Sequence, residues 1–329
     1  MSKKWVESVG KGIEADHSDR VRRALSDGAA ARSALQASWC RSMDLHGLDP
    51  AEQGRTATLT DIEMREVCQA MEPLTCAAQS ALDRLYLAVG GAGCCVLLTN
   101  GQGVAVDRRS ADVDDETFRR WGLWQGAVWS EAVEGTNGIG TCLAEHRPLT
   151  IHKDQHFHTR NIRLSCSTAP VHDHLGRLAG ALDVSTARAD LTEGFVGLIA
   201  AAVTEAARSI EAQAFRQAFP RARIVLAGDP ERSASALLAV DRHDLVVGAT
   251  HAARMALGIT DARIAGQLPA EDALGLAPSG AEAELIDAER GVVRRALARS
   301  SGNVSAAARS LGVSRATLHR KLIRLNPHS

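Results

Sequence analysis

His152, His156 and His158 stand close together in the chain, with Cys142, Cys166, His172 and His174 near them. Imidazole and thiolate groups gathered in this way can ligate zinc, iron or haem iron. Their spacing matches no standard metal site, and His172 and His174 share a strand face but flank a turn. The expectation is therefore no metal and no cofactor, with these side chains lining or covering a pocket through hydrogen bonds. Just before them, Glu134-Gly135-Thr136-Asn137-Gly138 offers backbone amides and small polar groups, and Trp121, Trp124 and Trp129 offer aromatic walls. A half-polar, aromatic-lined cavity is the usual form of a small-molecule site. The candidate ligand set is Trp121, Trp129, Glu134, Thr136, Asn137, His152, His156 and Cys166. Cys94-Cys95, on an apolar run, reads as two small hydrophobes. No Cys–His nucleophile pair is identifiable, so the chain reads as a non-enzyme.

A different chemistry sits at the other end. Nine of the 38 basic residues fall between Arg290 and Ser329, and all 39 acidic residues precede Arg290. The net charge of −1 thus hides an acidic body joined to a basic tail, and such a tail suits a polyanion, most often nucleic acid. The pattern inside the tail is helical. Glu282 to Arg299 is a predicted helix ended by Ser300-Ser301-Gly302, and Asn303 is placed to cap a short alanine-rich helix from Val304 to Leu311. Gly312-Val313-Ser314 reads as a tight turn: the glycine takes positive φ, the valine fills the angle between helices, and the serine caps the next helix. From about Arg315 to Leu325, Leu318, Leu322 and Leu325 fall on one inward face. Arg315, Thr317, His319, Arg320, Lys321 and Arg324 are left outside or flanking it. Short helix, three-residue turn and basic helix together form the geometry that places a helix in the DNA major groove.

The elements that must position the first group read as an antiparallel sheet with a long crossing loop. Asp19 to Trp39 has helical periodicity, and Thr60 to about Val89 reads as one or two helices, with Thr60 and Glu63 forming a capping box. Cys94 to Leu98 and Gly103 to Val106 are predicted strands joined by a turn at Asn100-Gly101. Trp121 to Cys166 reads as loops and short elements. A second hairpin runs from Ser167 to His172, turns at His174-Leu175-Gly176, and returns over Arg177 to Val184, with Leu178, Leu182 and Val184 on one face. Leu191 to Phe219 is a long amphipathic helix closed by Pro220. Three short strands follow at Ile224–Leu226, Ala236–Val240 and Leu245–Gly248, and then a helix from His251 to Leu257 closed by Gly258. Ala265 to Glu282, rich in Gly, Pro and Ala, is the linker candidate.

With 329 residues, 45% hydrophobic and 23% charged, the chain has the mass for about two or three domains. The longest strongly apolar run, Val196 to Val203, is far short of a membrane span, and the first residues contain no signal-like apolar core. Seven cysteines at irregular spacing fit reduced cytosolic thiols. The expected location is the cytoplasm, with no membrane partner.

The run GNVSAAARSLGVSRATLHRKLIRL closely resembles the Fis-type DNA-binding domain at the C-terminus of sigma-54-dependent regulators. WSEAVEGTNGIGTCLAEHRPLTIHKDQHFHTR and LSCSTAPVHDHLGRLAGALDVST resemble the GAF sensor of acetoin-catabolism-type members of that group. SWCRSMDLHGLDP resembles their lead-in, and AVDRHDLVVGATHAARMALGI their small PAS-like segment. The resemblance implies an α+β chain: helical lead-in 1–59, GAF domain 60–219 with an antiparallel sheet and flanking helices, PAS-like segment 220–264, linker 265–281, and all-α Fis-type helix-turn-helix 282–329. It implies a homodimer on a roughly palindromic double-stranded DNA operator, with recognition helices ~34 Å apart. It also implies an unknown small-molecule effector and contact with RNA polymerase or a sigma-54 regulator. Carried onto this chain, the DNA contacts are Ser314, Arg315, Thr317, His319, Arg320 and Lys321, with Asn303 and Arg324 completing the set. Arg320 and Lys321 anchor phosphates, and Arg315 and His319 read base edges. One departure stands out: the family's central AAA+ ATPase has no counterpart, and no GxxxxGK phosphate loop occurs in the sequence. That departure points to regulation by DNA occupancy, with the alternative of a GAF domain that serves as an adaptor without a small-molecule ligand.

Overall fold

A computed structural model describes residues 16–23, 33–90, 93–188, 192–227, 235–276 and 281–325. The backbone divides into two units, Met1–Gln267 and Leu268–Ser329.

In the first unit, residues 16–23 are helical and α1 spans Ala34–Cys40, capped by Ser33 and continued by a wider turn over Arg41–Leu45. The middle of the helix expected between Asp19 and Trp39 (residues 24–32) lies outside the described residues. Thr60 to Val89 is a single helix, α2 (Asp61–Val89). Its capping box is present: Thr60 Oγ1 accepts the Glu63 amide and Glu63 Oε2 accepts the Thr60 amide at 2.8 Å. Pro73 lies inside α2, where its missing N–H removes one helical hydrogen bond.

Strands β1 (Cys94–Asn100) and β2 (Ala105–Arg109) form the first hairpin. The crossing region contains α3 (Asp115–Arg120), α4 (Glu131–Glu134), α5 (Gly138–Glu145) and β3 (Leu149–His152), all short, as the composition predicts. β4 (Ser165–His172) and β5 (Leu178–Thr186) form the second hairpin, and α6 (Glu193–Ala218) follows. The sheet is antiparallel in the order β2-β1-β5-β4-β3. One face packs Val96, Leu98, Leu182 and Val184 beneath Leu74, Leu82 and Leu85 of α2 and Val203 and Ile210 of α6. The opposite face packs Cys95, Leu97, Cys166 and Ala181 against Phe118, Leu123, Trp129 and Ile139. Cys94 and Cys95 therefore belong to opposite cores, as alternation along a strand requires.

Leu178 departs from its expected face. It packs with the second core while Leu182 and Val184 belong to the first. The β4–β5 register shifts between Val171 and His172, and an extra residue opposite that step reverses the side-chain alternation. Gly180 is required just there, because a Cβ would lie 1.8 Å from the Thr99 carbonyl oxygen.

A second sheet, β6 (Arg223–Leu226), β7 (Leu237–Val240) and β8 (Val246–Ala249), matches the three predicted strands. Phe215 near the end of α6 is buried with Leu237 and Ala239, which ties this sheet to the helix. α7 (His251–Leu257) is capped by Thr250 and closed by Gly258, and α8 (Asp261–Ala265) follows.

The second unit begins with α9 (Ala270–Leu274), a short helix inside the stretch read as linker. α10 (Ala281–Arg299), α11 (Val304–Ser310) and α12 (Arg315–Leu325) form the tail. Val293, Ala296, Ala307, Ala308, Leu318 and Leu325 make its core. The α+β class read from the sequence describes the whole chain.

Candidate functional site

The tail is built by local chemistry. Asn303 Oδ1 accepts the amides of Ser305 and Ala306 at 3.0 and 3.1 Å, which starts α11. Ala307 and Ala308 are fully buried, so α11 approaches its neighbours closely. Gly312 turns the chain with φ +67, and Ser314 Oγ accepts the Thr317 amide at 3.1 Å to start α12. Leu318 and Leu325 then point into the core with Leu322 beside them.

This arrangement leaves Arg315, Ala316, His319, Arg320 and Ile323 exposed along one face of α12. Two arginines, an imidazole and an apolar side chain can together meet phosphates, base edges and a thymine methyl group. Ile323, 63% exposed, was not in the sequence-derived set. Its signal was available: it lies four residues after His319 and outside the inward leucine stripe. Thr317 is half-buried, Ser314 is exposed, and Asn303 is occupied as a cap. Lys321 is half-buried and Arg324 is exposed, and both pair with Glu289 of α10.

The polar loop of the first unit is largely engaged with itself. Trp129 is buried and its Nε1 donates to Gly122 O at 2.9 Å, while Trp121 is half-buried against the same core. Glu134 is buried and accepts from Arg160 at 3.0 Å and from Asn161 at 3.2 Å. Thr136 Oγ1 meets Ser38 Oγ at 2.7 Å. Asn137 Oδ1 caps α5 by accepting the Gly140 amide at 2.9 Å, and its Nδ2 donates to Gly135 O at 2.8 Å. His152 Nδ1 lies 2.7 Å from Ser165 Oγ. His156 Nδ1 donates to Lys153 O at 2.9 Å, and its Nε2 lies 3.4 Å from Cys166 Sγ. Buried polar groups must find partners, and a loop folded over a sheet supplies most of them from its own residues. Trp124 is contacted by the guanidinium groups of both Arg108 and Arg119, 3.9 and 4.0 Å from its ring centre.

The remaining histidines diverge from this cluster. His172 Nδ1 meets Glu211 of α6 at 2.7 Å, its ring stacks on His251 of α7 at 3.8 Å, and His174 sits edge-on to Phe219. Burial pushes the thiols of Cys95, Cys142 and Cys166 up from their ordinary range, which keeps them protonated. His172, Glu211 and His251 line a cleft of about 180 Å³, and larger ones lie away from the candidate set. A cleft of about 500 Å³ runs beside Arg20, Gln36, Trp39 and Asp154. Another of about 600 Å³ lies between Met71, Pro73 and Leu74 of α2 and Ala214 and Gln217 of α6.

Two buried carboxylates escaped the sequence reading. Glu131 accepts from Ser38 Oγ, and from Arg41 Nε at 2.7 Å, so the lead-in segment is tied to the polar loop. Asp183 on β5 accepts from Thr168 Oγ1 at 2.5 Å and from Ser185 Oγ at 2.6 Å, with no cation beside it in these contacts. Burial pushes its acid up to about 6. Unfolded, the same acid titrates near ~3.9. The folded state therefore binds the proton more tightly, and Asp183 contributes stability that is full below about pH 4 and lost as pH rises through 6. Between about pH 4 and pH 8 the stability difference between the wild type and Asp183→Asn should change by roughly 2.5 kcal/mol in the variant's favour. Urea unfolding at the two pH values measures it, and a difference independent of pH would contradict this assignment.

Comparison with known families decides what these parts are. The GAF domain profile matches residues 73–210, and the profile described as "Bacterial regulatory protein, Fis family" matches residues 284–325. The chain joins a GAF domain to a Fis-type helix-turn-helix. It is homologous to the acetoin catabolism regulators. The acetoin catabolism regulatory protein of Cupriavidus necator is 35% identical over 237 residues, covering 71% of this chain and 36% of that protein. The acetoin dehydrogenase operon transcriptional activator AcoR of Bacillus subtilis is 26% identical over 193 residues, covering 59% of this chain and 32% of that protein. The propane 2-monooxygenase operon transcriptional activator MimR of Mycolicibacterium smegmatis is 30% identical over 164 residues, covering 49% and 27%. The chain thus spans about a third of the length of the curated relatives it matches. Among solved structures, the E. coli DhaR(N)–DhaL complex superposes with a TM-score of 0.52 at 13% identity, covering 69% of this chain and 77% of that one, a likeness of fold. Among the described residues, no helix beside the GAF or Fis-type domain is long and apolar enough to cross a membrane.

Proposed function

We propose that the chain is a cytoplasmic, DNA-binding transcription regulator, without catalytic activity, whose GAF domain senses a small molecule or partner. The observation that carries this reading is the exposed row Arg315, His319 and Arg320 on a helix set by the Asn303 cap and the Gly312 turn. A homodimer would present two such helices to a roughly palindromic operator, with half-sites ~34 Å apart. The sequence carries no GxxxxGK loop, and few residues separate Ala265 from the start of α10. That spacing supports regulation by occupancy, by repressing, competing at enhancer sites or recruiting polymerase, without ATP-driven promoter opening. Mapping bound sites across the genome, followed by mobility shifts on the recovered sequences, tests the DNA-binding part. ATP-dependent promoter opening by the purified protein with sigma-54 holoenzyme would refute the occupancy mechanism.

The internally bonded polar loop also favours a second reading, in which the GAF domain is an adaptor for another regulator. The two are separated by thermal unfolding with candidate metabolites. A ligand held by the folded state at 100 times its dissociation constant adds about 2.7 kcal/mol. No shift with any metabolite, alongside a shift with a regulator protein, would favour the adaptor.

A further inference from the structure

The basic side chains of α12 fall into two classes. Arg315 and Arg320 are exposed and meet no carboxylate among the described residues. Lys321 flanks the inward stripe of Leu318, Leu322 and Leu325, and Arg324, one turn after Arg320, is exposed but reaches across to α10. There Glu289 accepts from Lys321 Nζ through Oε1 and from Arg324 Nη2 through Oε2. The carboxylate is 21% exposed, against 36% for Lys321 and 65% for Arg324. One acid thus occupies both oxygens with two cations of the recognition helix.

We infer that Glu289 is a positioning residue that withholds Lys321 and Arg324 from DNA and so sets the electrostatic strength of the grip. The inference rests on the DNA-binding reading proposed above. A cation that neutralises a phosphate releases a condensed counterion, and each such contact adds about −0.9 to the slope of log affinity against log salt. A cation already paired with Glu289 releases none. The exposed row then makes the contacts, while a background of sequence-independent attraction is held down. That matters for discrimination, because phosphate contacts raise the affinity for every duplex, whereas base contacts raise it for one. The two partners of Glu289 also hold its acid below the ordinary carboxylate range, so the clamp stays charged at neutral pH.

The test uses the full-length protein, a labelled random-sequence duplex and fluorescence anisotropy from about 50 to 200 mM salt. Glu289→Gln should bind more tightly at the low-salt end, with a slope steeper by up to about 1.8 per protomer, so that each protomer's share of the advantage shrinks about twelvefold across the range. Adding Lys321→Gln and Arg324→Gln to that variant should restore the wild-type slope. A purely structural role would lower the melting temperature of Glu289→Gln and leave the slope unmoved, which would overturn the inference. If Glu289→Gln does not fold, the triple variant still decides: a slope shallower than wild type by about 1.8 would mean that both cations already contact DNA. Wild-type protein that binds no duplex at all would sink the DNA-binding reading itself, and this inference with it.

Discussion

Replacing Arg315 and Arg320 together by alanine should weaken operator binding by more than about a hundredfold while leaving the protein folded. A bidentate contact from arginine to a base edge is worth about 1–3 kcal/mol, and a lost phosphate contact adds to that. Both side chains are exposed, and neither contributes to the core of Val293, Ala296, Leu318 and Leu325. Far-ultraviolet circular dichroism and the melting temperature should therefore match wild type. Mobility shifts on a sequence recovered by genome-wide mapping measure the loss. Sequence alone pairs Arg320 with Lys321 as the phosphate anchors, but Lys321 is held by Glu289, which moves the expected weight to Arg315. Affinity unchanged in the double variant would remove α12 from the interface.

Acidification from pH 7.5 to about pH 5 should cost the GAF domain about 4 kcal/mol through His156 and His158, and about 2.5 kcal/mol net once Asp183 is counted. Burial is the main cause in both, and it lowers each imidazole to about 4. In the unfolded chain each would titrate near ~6.5. The unfolded state therefore binds more protons across that interval. The stabilising contribution is complete above about pH 6.5 and is lost as pH falls toward 4. Asp183 acts in the opposite sense over about pH 4–6 and offsets part of the loss. His158 packs edge-on to Phe157 and His156 lies between Lys153 and Cys166, and the charges of Asp49 and Asp154 offset only part of the effect of burial. Urea midpoints measured across this range give the slope, and His158→Leu should remove about 2 kcal/mol of the change. A midpoint that does not move with pH would refute the assignment.

The parts legible in the sequence are those whose causes are local. The Asn303 cap, the Gly312 turn and the leucine spacing of α12 are each set within a few residues, and the structure reproduces them. The Thr60–Glu63 capping box and the turn after Asn100 are of the same kind. What escaped depends on contacts distant in sequence. Glu289 and Lys321 are 32 residues apart, and Ser38 and Glu131 are 93 apart, with no periodicity to link them. The face of Leu178 is set by a one-residue register shift, which leaves no trace in the composition. For the polar loop, residue type alone does not decide: Thr136, Asn137, His156 and Cys166 are equally suited to bind a guest or to satisfy one another.

The tie between α1 and Glu131 bears on how this protein can be dissected. Arg41 and Ser38 lie upstream of Thr60, where the long helix of the sensor begins. An excised fragment beginning at Thr60 would strip a sequestered anion of its guanidinium counterpart, the kind of vacancy that costs a fold about 3–5 kcal/mol. The smallest self-sufficient form of this domain therefore starts no later than Ser33, and shorter truncations would report on that wound and not on the native fold.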